Sequence, residues 1–259
     1  MDKRLIAERF AKARGTYSRA AQAQRQVAEK MIRLLQKLPQ PRGLGQGIAQ
    51  VVEIGCGTGL YTELLLQTLH PTRMLINDLC AEMGPGIDSL LQCYGEGVEA
   101  EFVAGDAEEL PLPPGSHLIT SCSTVQWFIQ PQQFVARASQ ALAADGLLAL
   151  STFGGDNLLE IRSLTGHGLS YPTLEEWRTL MDPHLQTLHA EEERVTLWFS
   201  SPTEVLRHLR ETGVSGTEKR IWTRSRLNQF CQDYTQRFAD KAGRVPLTYH
   251  PIYLIARNT

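Results

Sequence analysis

The chain has 259 residues, which is enough for one large domain or two small ones with a sizeable hydrophobic core. Hydrophobic residues make up 42% and charged residues 21%, a composition that is typical of globular proteins and argues against a disordered chain. Because 26 Lys and Arg residues are balanced by 28 Asp and Glu residues, the net charge is -2, and the chain as a whole has no basic field for binding nucleic acid.

The cysteines and the lack of long apolar runs indicate the compartment. There are five cysteines, an odd number, and none form a C-x-x-C pair, so the sequence predicts neither a disulfide framework nor a zinc finger nor another metal site. No early apolar segment follows Met1 as in a secretory signal, and no apolar run reaches the roughly 18 residues of a membrane span. We therefore expect a soluble, cytoplasmic protein.

Apolar residues at helical spacing over 4–38 predict two helices separated at Gly15-Thr16, followed by a Pro- and Gly-rich loop over 39–47. From residue 51 short apolar strands alternate with helices, which predicts a parallel sheet covered by helices on both faces. The strands are predicted at 51–54, 73–79, 100–104, 117–121 and 146–153, and the helices at 61–69, 85–94 and 131–143, the last closed by Gly146.

After residue 153 the alternation loosens. The sequence predicts a loop and one helix over 154–190, a strand over 194–200, helices over 202–212 and 223–240, and a closing strand over 248–257. Capping boxes at Thr173-x-x-Glu176 and Ser201-x-x-Glu204 mark two of the helix starts. We interpret the helices within 154–190 and 202–243 as insertions that cap the ligand-binding edge of the sheet.

The strongest motif is Glu53-Ile54-Gly55-Cys56-Gly57-Thr58-Gly59, which lies between a predicted strand and a predicted helix. Glycines at such a turn let the backbone bend sharply and contact a ligand, although a purely structural tight turn has the same composition. The spacing is G-x-G-x-G and differs from the G-x-G-x-x-G of pyrophosphate-binding folds. The acidic Glu53 before the first glycine suits a ligand with a positive amino group.

Two further acids follow the next two strands. Asp78 ends the second strand, where a carboxylate accepts both ribose hydroxyls of an adenosine, and Asp106 follows the third strand, where it is a candidate acceptor for the adenine amino group. Each acid alone is equally consistent with a helix cap or a solvated loop. Because the carboxyl ends of parallel strands meet in one crevice, the three positions together predict an adenosine-type cofactor.

Residues 48–153 resemble the class I S-adenosylmethionine-dependent methyltransferases. The resemblance implies an α/β, Rossmann-like fold with a seven-stranded sheet, six strands parallel and one antiparallel near the C-terminus, flanked by N-terminal helices and helical cap insertions. It also implies S-adenosyl-L-methionine as the cofactor. The cofactor contacts that it implies are Glu53, Gly55, Gly57, Gly59, Asp78, Asp106, Ala107 and Ser121.

A second resemblance runs from Phe10 to Arg257 and is narrower. It is carried by Arg9-Phe10, Tyr17, Gln24-Arg25, the Ser121–Trp127 segment, Thr196-Leu197-Trp198-Phe199 and the segment from Pro246 to Pro251. These residues are similar to those of the malonyl-[acyl-carrier protein] O-methyltransferases, the BioC family of biotin synthesis, except that Cys122 stands where the family has Asn. The resemblance implies one methyltransferase domain: N-terminal helices at 1–47, a cofactor-binding core at 48–153, and strands with helical insertions at 154–259.

The implied reaction methylates the free carboxylate of a malonyl thioester on acyl-carrier protein or coenzyme A. That carboxylate, with a pKa of about 3 to 4, is ionised at pH 7 and needs no general base. Tyr17 matches the family's early active-site tyrosine, although packing between the N-terminal helices also explains it. Gln126 and Trp127 are candidates for the substrate edge, with Trp127 alternatively in the core. Arg207 and Arg210 are candidates for holding the carboxylate.

The segment 205–226 is locally basic. Six basic residues and two acids, Glu211 and Glu218, leave a net charge of 6 − 2 = +4, against -2 for the whole chain. A solvated helix face is the ordinary explanation, and a docking surface for an acidic carrier protein is the functional one. The six basic residues are Arg207, Arg210, Lys219, Arg220, Arg224 and Arg226.

Other functions remain open at this point. The chain is alternatively a methyltransferase for another small acid or a quinone, a nicotinamide-dependent oxidoreductase, or a non-catalytic binder of a carrier protein. The glycine spacing disfavours the oxidoreductase.

Overall fold

The computed structural model describes residues 2–38, 49–213 and 223–259. The chain begins with helices α1 (Lys3–Ala20) and α2 (Gln22–Lys37). They are separated at Ala21 and not at the predicted Gly15-Thr16. A glycine inside a helix costs only about 1 kcal/mol relative to alanine, and the Thr16 hydroxyl donates to the Ala13 carbonyl, so α1 continues through both residues.

The central feature is a seven-stranded sheet in the order β3-β2-β1-β4-β5-β9-β6. Its strands are β1 (Gln50–Ile54), β2 (Arg73–Asp78), β3 (Glu99–Ala104), β4 (Ser116–Cys122), β5 (Leu142–Phe153), β6 (Gln186–Glu192) and β9 (Pro251–Arg257). Strand β9 is antiparallel to both of its neighbours, and the pairs from β3 to β5 are parallel. The predicted sheet of six parallel strands and one antiparallel strand is therefore confirmed.

Helices cover both faces of this sheet, as the apolar strands require. The flanking helices are α3 (Leu60–Leu69), α4 (Gly84–Tyr94), α5 (Pro131–Ala141) and α7 (Leu174–Met181). On one face, α2 and α3 bury Met31 and Leu65 against the sheet. On the other face, α5 and α7 bury Phe134 and Trp177. Burying each such side chain contributes about 1.5–3 kcal/mol, so these two layers hold the strand ends in place.

Two predicted boundaries differ from the structure. Helix α5 ends at Ala141, and β5 already begins at Leu142, which pairs with Ser116, so Gly146 lies inside the strand. Within the predicted loop-and-helix region 154–190, β6 forms the edge of the sheet, where half-buried and charged side chains hide the strand pattern. Helix α7 packs on α5 and β6 and so belongs to the sheet layer, not to a cap.

A separate cap follows the sheet. It contains α6 (Leu159–Thr165), α8 (Pro202–Glu211) and α9 (Arg224–Phe238) with a two-stranded antiparallel sheet of β7 (Val195–Phe199) and β8 (Val245–Tyr249). The predicted strand at 194–200 is thus β7 in the cap, and the predicted closing strand is two strands that divide at His250. The cap has its own core around Val205, Tyr234 and Leu247, which also receives Ala23 of α2 and Phe153 of β5.

Candidate active site

A large cavity lies at the carboxyl ends of the central parallel strands, with α1 across it. Its volume is about 1060 Å³ including the open mouth. Strand β1 has β2 on one side and β4 on the other, so the cavity is at the point where the strand order reverses, the usual ligand position in such sheets. Residues from the predicted motifs that line it are Tyr17, Gly55, Gly57, Asp78, Asp106, Ala107 and Trp127. We refer to it as the cofactor cavity.

The three glycines of the turn differ in what a side chain would contact at each position. All three have positive φ, with values of 72° at Gly55, 55° at Gly57 and 85° at Gly59. A Cβ on Gly55 would overlap the Thr124 side chain, and one on Gly59 would lie 2.8 Å from Leu90. A Cβ on Gly57 has no protein atom within 4 Å and would instead occupy the cavity. Gly57 is therefore the glycine of the turn at which the protein leaves space beside the backbone, and its predicted contact with a cofactor stays a prediction.

Asp78 fixes the turn and keeps capacity for a ligand. Its Oδ2 accepts from the Gly57 N–H at 2.8 Å, and its Oδ1 accepts from the Cys80 N–H at 2.9 Å. Desolvation raises the pKa of Asp78, although these two backbone hydrogen bonds act in the opposite direction. Each carboxylate oxygen has a further lone pair, so both can also accept from vicinal hydroxyls.

Glu53 lies in β1 behind the turn and is 1% exposed. Burial raises its pKa to about 8, with Asp78 adding to the rise and a hydrogen bond from Thr62 opposing it. Its Oε2 has no hydrogen-bond partner within the described part of the chain. A buried carboxylate oxygen without a partner is costly, and a positive group beside it removes that cost. Together with Gly57 and Asp78, it fits an adenosine cofactor that carries an ammonium group.

Asp106 has a partner that the sequence did not indicate. Its Oδ2 lies 2.6 Å from Lys3 Nζ, and its Oδ1 accepts from the Glu108 N–H. Lys3 also pairs with Glu108. This carboxylate thus ties α1 to the loop after β3 at the cavity wall. Its predicted contact with adenine stays a prediction, as does the contact of the neighbouring Ala107.

Ser121 does not reach the cavity. It is fully buried, and its hydroxyl donates to the Ile54 carbonyl at 2.9 Å, between β4 and β1. The next three residues of the chain, Cys122, Ser123 and Thr124, line the cavity instead. Burial raises the pKa of the Cys122 thiol to about 12, so it is neutral there.

A second, smaller cavity of about 380 Å³ adjoins the first. The two share Phe10, Tyr17, Gln24, Ser123 and Trp127. The second is completed by Gln126, Phe153, Asn157, Tyr171 and Tyr249. Tyr17 and Trp127 thus lie where the cavities meet, and Gln126 lines the second cavity alone. Trp127 packs edge-on against Phe10 with ring centroids 6.0 Å apart. We refer to this second cavity as the acceptor chamber.

The predicted arginines are not in either cavity. Helix α8 buries Val205, His208 and Leu209 in the cap, so its helical period turns Arg207 and Arg210 toward solvent. Arg207 pairs there with Glu204 at 3.1 Å. The predicted grip of these arginines on a substrate carboxylate thus has no support in this arrangement.

The remaining basic residues of 205–226 are divided. Arg224 and Arg226 are exposed at the start of α9, whereas Lys219 and Arg220 lie outside the described residues. Within the described ranges, no cluster of three potential metal ligands occurs, and no helix is long and apolar enough to cross a membrane. All five cysteines are free.

Comparison with known proteins decides the family. A family profile described as a methyltransferase domain matches residues 52–150. The malonyl-[acyl-carrier protein] O-methyltransferase of Bacteroides helcogenes is 50% identical over 272 aligned positions, which cover 100% of this chain and 99% of that protein. The chain belongs to this family. The family resemblance predicted from the sequence is thereby confirmed.

Other family members and solved structures agree. The malonyl-[acyl-carrier protein] O-methyltransferase of Bacteroides fragilis is 47% identical over 99% of this chain, which spans only 50% of that protein. Geranyl diphosphate C-methyltransferase from Streptomyces coelicolor, solved with S-adenosyl-L-homocysteine, has a TM-score of 0.55 and 12% identity, with 89% of this chain and 79% of that chain covered. The latter supports the methyltransferase fold.

Proposed function

We propose that this protein transfers the methyl group of S-adenosyl-L-methionine to the free carboxylate of a malonyl group carried as a thioester on acyl-carrier protein. The observation that carries the proposal is the pair of adjoining cavities in a chain that is 50% identical to a malonyl-[acyl-carrier protein] O-methyltransferase. The glycine turn and Asp78 at the first cavity suit an adenosine cofactor, and the second is small, with hydroxyl and amide side chains among aromatic rings. Following the family, we place the reaction at the start of biotin synthesis in the cytoplasm.

The cofactor cavity supplies binding and orientation. Asp78 accepts the ribose hydroxyls, the Gly57 backbone allows close approach, and ionised Glu53 balances the amino group of the methionine part. When bound, the cofactor supplies an electrophilic methyl on a positively charged sulfur. All other contributions come from residues of the chain.

The acceptor chamber positions the substrate carboxylate and excludes water from it. A malonyl carboxylate has a pKa of about 3 to 4 and is ionised at neutral pH, so no residue has to remove a proton. Catalysis then depends on holding the attacking oxygen in line and about 3 to 3.5 Å from the carbon that it attacks. Phe10 and Trp127 exclude water at the junction of the cavities. Burial raises the pKa of Tyr17, which keeps its hydroxyl protonated as a donor.

The carrier protein is the proposed partner because such carriers are acidic and the exposed side chains of Arg207, Arg210, Arg224 and Arg226 are basic. An acidic partner that meets these side chains gains in encounter rate and orientation, and the gain shrinks as salt rises.

Mass spectrometry of the intact carrier tests the proposal. Malonyl-acyl-carrier protein incubated with the enzyme and S-adenosyl-L-methionine should gain one methyl group, and acetyl-acyl-carrier protein should gain none. An unchanged malonyl carrier, beside methylation of a free acid or a quinone, would overturn the proposed substrate.

A further inference from the structure

The acceptor chamber has an unusual lining for a site that receives an anion. Its ten described lining residues include three tyrosines, two glutamines, a serine and an asparagine, and none of the ten is Lys, Arg or His. If the proposed function holds, a carboxylate enters this chamber without a cationic side chain to pair with it. The groups that receive it must be uncharged hydrogen-bond donors.

Asn157 sets the direction of one such donor. It is 2% exposed, its Oδ1 accepts from the His250 N–H at 3.3 Å, and its Nδ2 donates to the Tyr171 hydroxyl at 2.9 Å. A backbone N–H can only donate, so the amide oxygen faces His250 and the amide nitrogen faces Tyr171. The Tyr171 oxygen is thus already an acceptor, and its proton is left for another partner.

That proton has no acceptor within the described part of the chain. Burial raises the pKa of Tyr171, so the hydroxyl stays protonated at neutral pH. Ser123 also lines the chamber, and its buried Oγ has no hydrogen-bond partner within the described part of the chain. Ser123 has a φ of 59°, a left-handed conformation that is uncommon for residues other than glycine.

We propose that the Tyr171 hydroxyl, oriented by Asn157, and the Ser123 hydroxyl bind the carboxylate of the substrate, so that the chamber selects an acyl group with an anionic end by uncharged donors alone. This inference rests on the proposed function and names the residues that select its substrate. Tyr171 and Ser123 contact the substrate, and Asn157 is a positioning residue.

The chemistry of methyl transfer favours this arrangement. A guanidinium beside the carboxylate would hold it strongly through charge-assisted hydrogen bonds, but it would also withdraw charge from the oxygen that must attack. Neutral hydroxyls orient the carboxylate and leave more of its charge on that oxygen. An acetyl group, which has no carboxylate, would leave both hydroxyl protons without a partner, and this loss discriminates against it.

Equilibrium binding to the enzyme saturated with S-adenosyl-L-homocysteine tests the inference without turnover. Calorimetry gives the Kd for malonyl-acyl-carrier protein and for acetyl-acyl-carrier protein, and their ratio measures recognition of the carboxylate. Tyr171→Phe should weaken malonyl binding roughly tenfold or more and should not weaken acetyl binding, so the ratio falls toward one. Asn157→Leu should do the same, and adding it to Tyr171→Phe should lower the ratio no further.

Tyr234→Phe is the matched control, because it removes a buried tyrosine hydroxyl that donates to the Pro246 carbonyl in the cap. It should keep the wild-type ratio. S-adenosyl-L-homocysteine affinity reports whether each variant is folded. If both Tyr171→Phe and Asn157→Leu retained the wild-type ratio, the inference would be overturned and the proposed function would stand. A wild-type enzyme that binds malonyl and acetyl carriers equally would contradict both the inference and the proposed function.

Discussion

The cofactor cavity and the acceptor chamber are built in different ways. The first is lined mainly by residues at the strand ends and in the turns after them, and the contact of the Gly57 N–H with Asp78 joins two neighbouring strand ends. The second consists of side chains from α1, α2, the loops after β4 and β5, and the cap. We therefore expect binding in the first cavity to depend on the turn and the acids at the strand ends, and binding in the second to depend on the orientation of a few hydroxyl and amide groups. Substitutions should accordingly separate cofactor binding from acceptor recognition.

The largest expected effect is on the backbone-built cavity. Gly57→Ala places a methyl group in the cofactor cavity and should lower S-adenosyl-L-methionine affinity by about a hundredfold or more, measured by calorimetry. Gly97→Ala is the matched control, since Gly97 also has a positive φ of 77° and no atom within 4 Å of a built Cβ. Both changes add similar backbone strain of about 1–2 kcal/mol, so only the first should affect the ligand. Equal affinities in the two variants would place the cofactor elsewhere.

The next largest effect is expected where the cavities meet. Tyr17→Phe should lower the rate of methyl transfer roughly ten- to a hundredfold, because a hydroxyl that hydrogen-bonds to a charged group contributes about 1.5–3 kcal/mol. Tm should change little, and cofactor affinity should not change. Tyr94→Phe, at a tyrosine that is 45% exposed, is the control. A fully active Tyr17→Phe enzyme would leave Tyr17 only its packing role.

Ligand affinity of the cofactor cavity should depend on pH through Glu53. Ionised Glu53 is needed to balance the ligand's ammonium group, and its pKa of about 8 means that binding near neutral pH must release a proton. Affinity for S-adenosyl-L-methionine should therefore rise by up to about tenfold per pH unit from about pH 6 to 7.5, below the range where the ligand's own amino group loses its charge. Glu53→Gln should bind more weakly and remove this slope; an unchanged slope would exclude Glu53.

The same group predicts a stability profile for the free protein. The folded-state pKa of about 8 lies above the ordinary value of 4.5, so the folded state binds the extra proton between these values. The stabilisation is complete below about pH 4.5 and is lost as the pH rises through about 8. Urea unfolding of Glu53→Gln across this range should lack that decline.

The smallest effect is expected outside both cavities. Arg224→Glu with Arg226→Glu should raise the KM for malonyl-acyl-carrier protein several-fold at low salt, with a smaller change for malonyl-coenzyme A and none in cofactor affinity. Arg178→Glu reverses a charge that is 48% exposed on α7 and serves as the control. Equal changes in KM for both substrates would mean that the carrier protein docks on another face of the enzyme.

The sequence predicted the part of the site that local rules determine. A glycine turn after a strand and acids at neighbouring strand ends fall in one crevice because parallel strands end at one edge, so Gly57 and Asp78, which both line the cofactor cavity, were predicted as site residues. Asn157 and Tyr171 were not, because only the folding of the cap brings them to Ser123. Arg207 and Arg210 lie outside both cavities, because charge does not reveal which face of α8 is buried. Ser121 lies outside them because its hydroxyl donates to the Ile54 carbonyl between two strands.

The sequence likewise predicted only part of the fold. Alternating apolar strands and helices determined the parallel sheet, whose inner strands are buried on both faces. The edge strand β6 was missed because one side of it has no neighbour, which leaves its side chains half-exposed and mixed in polarity. The helix break at Ala21 was missed because Gly15 looks like the weaker point, although contacts of Thr16 with Ala13 and with Glu211 of α8 hold that turn.

The division of the last strand at His250 has a mechanical consequence. A single residue joins β8 of the cap to β9 inside the main sheet, and it is fixed by hydrogen bonds with Gly154, Asp156 and Asn157. The cap is therefore joined to the sheet through a short, hydrogen-bonded connection and not through a long loop. In contrast, α1 is tied down by polar contacts such as that of Arg14 with the Glu82 carbonyl, which open at a lower free-energy cost. We therefore expect ligands to exchange on the α1 side and the cap wall to keep its shape, which hydrogen exchange of the amides in α1 and β8 would measure.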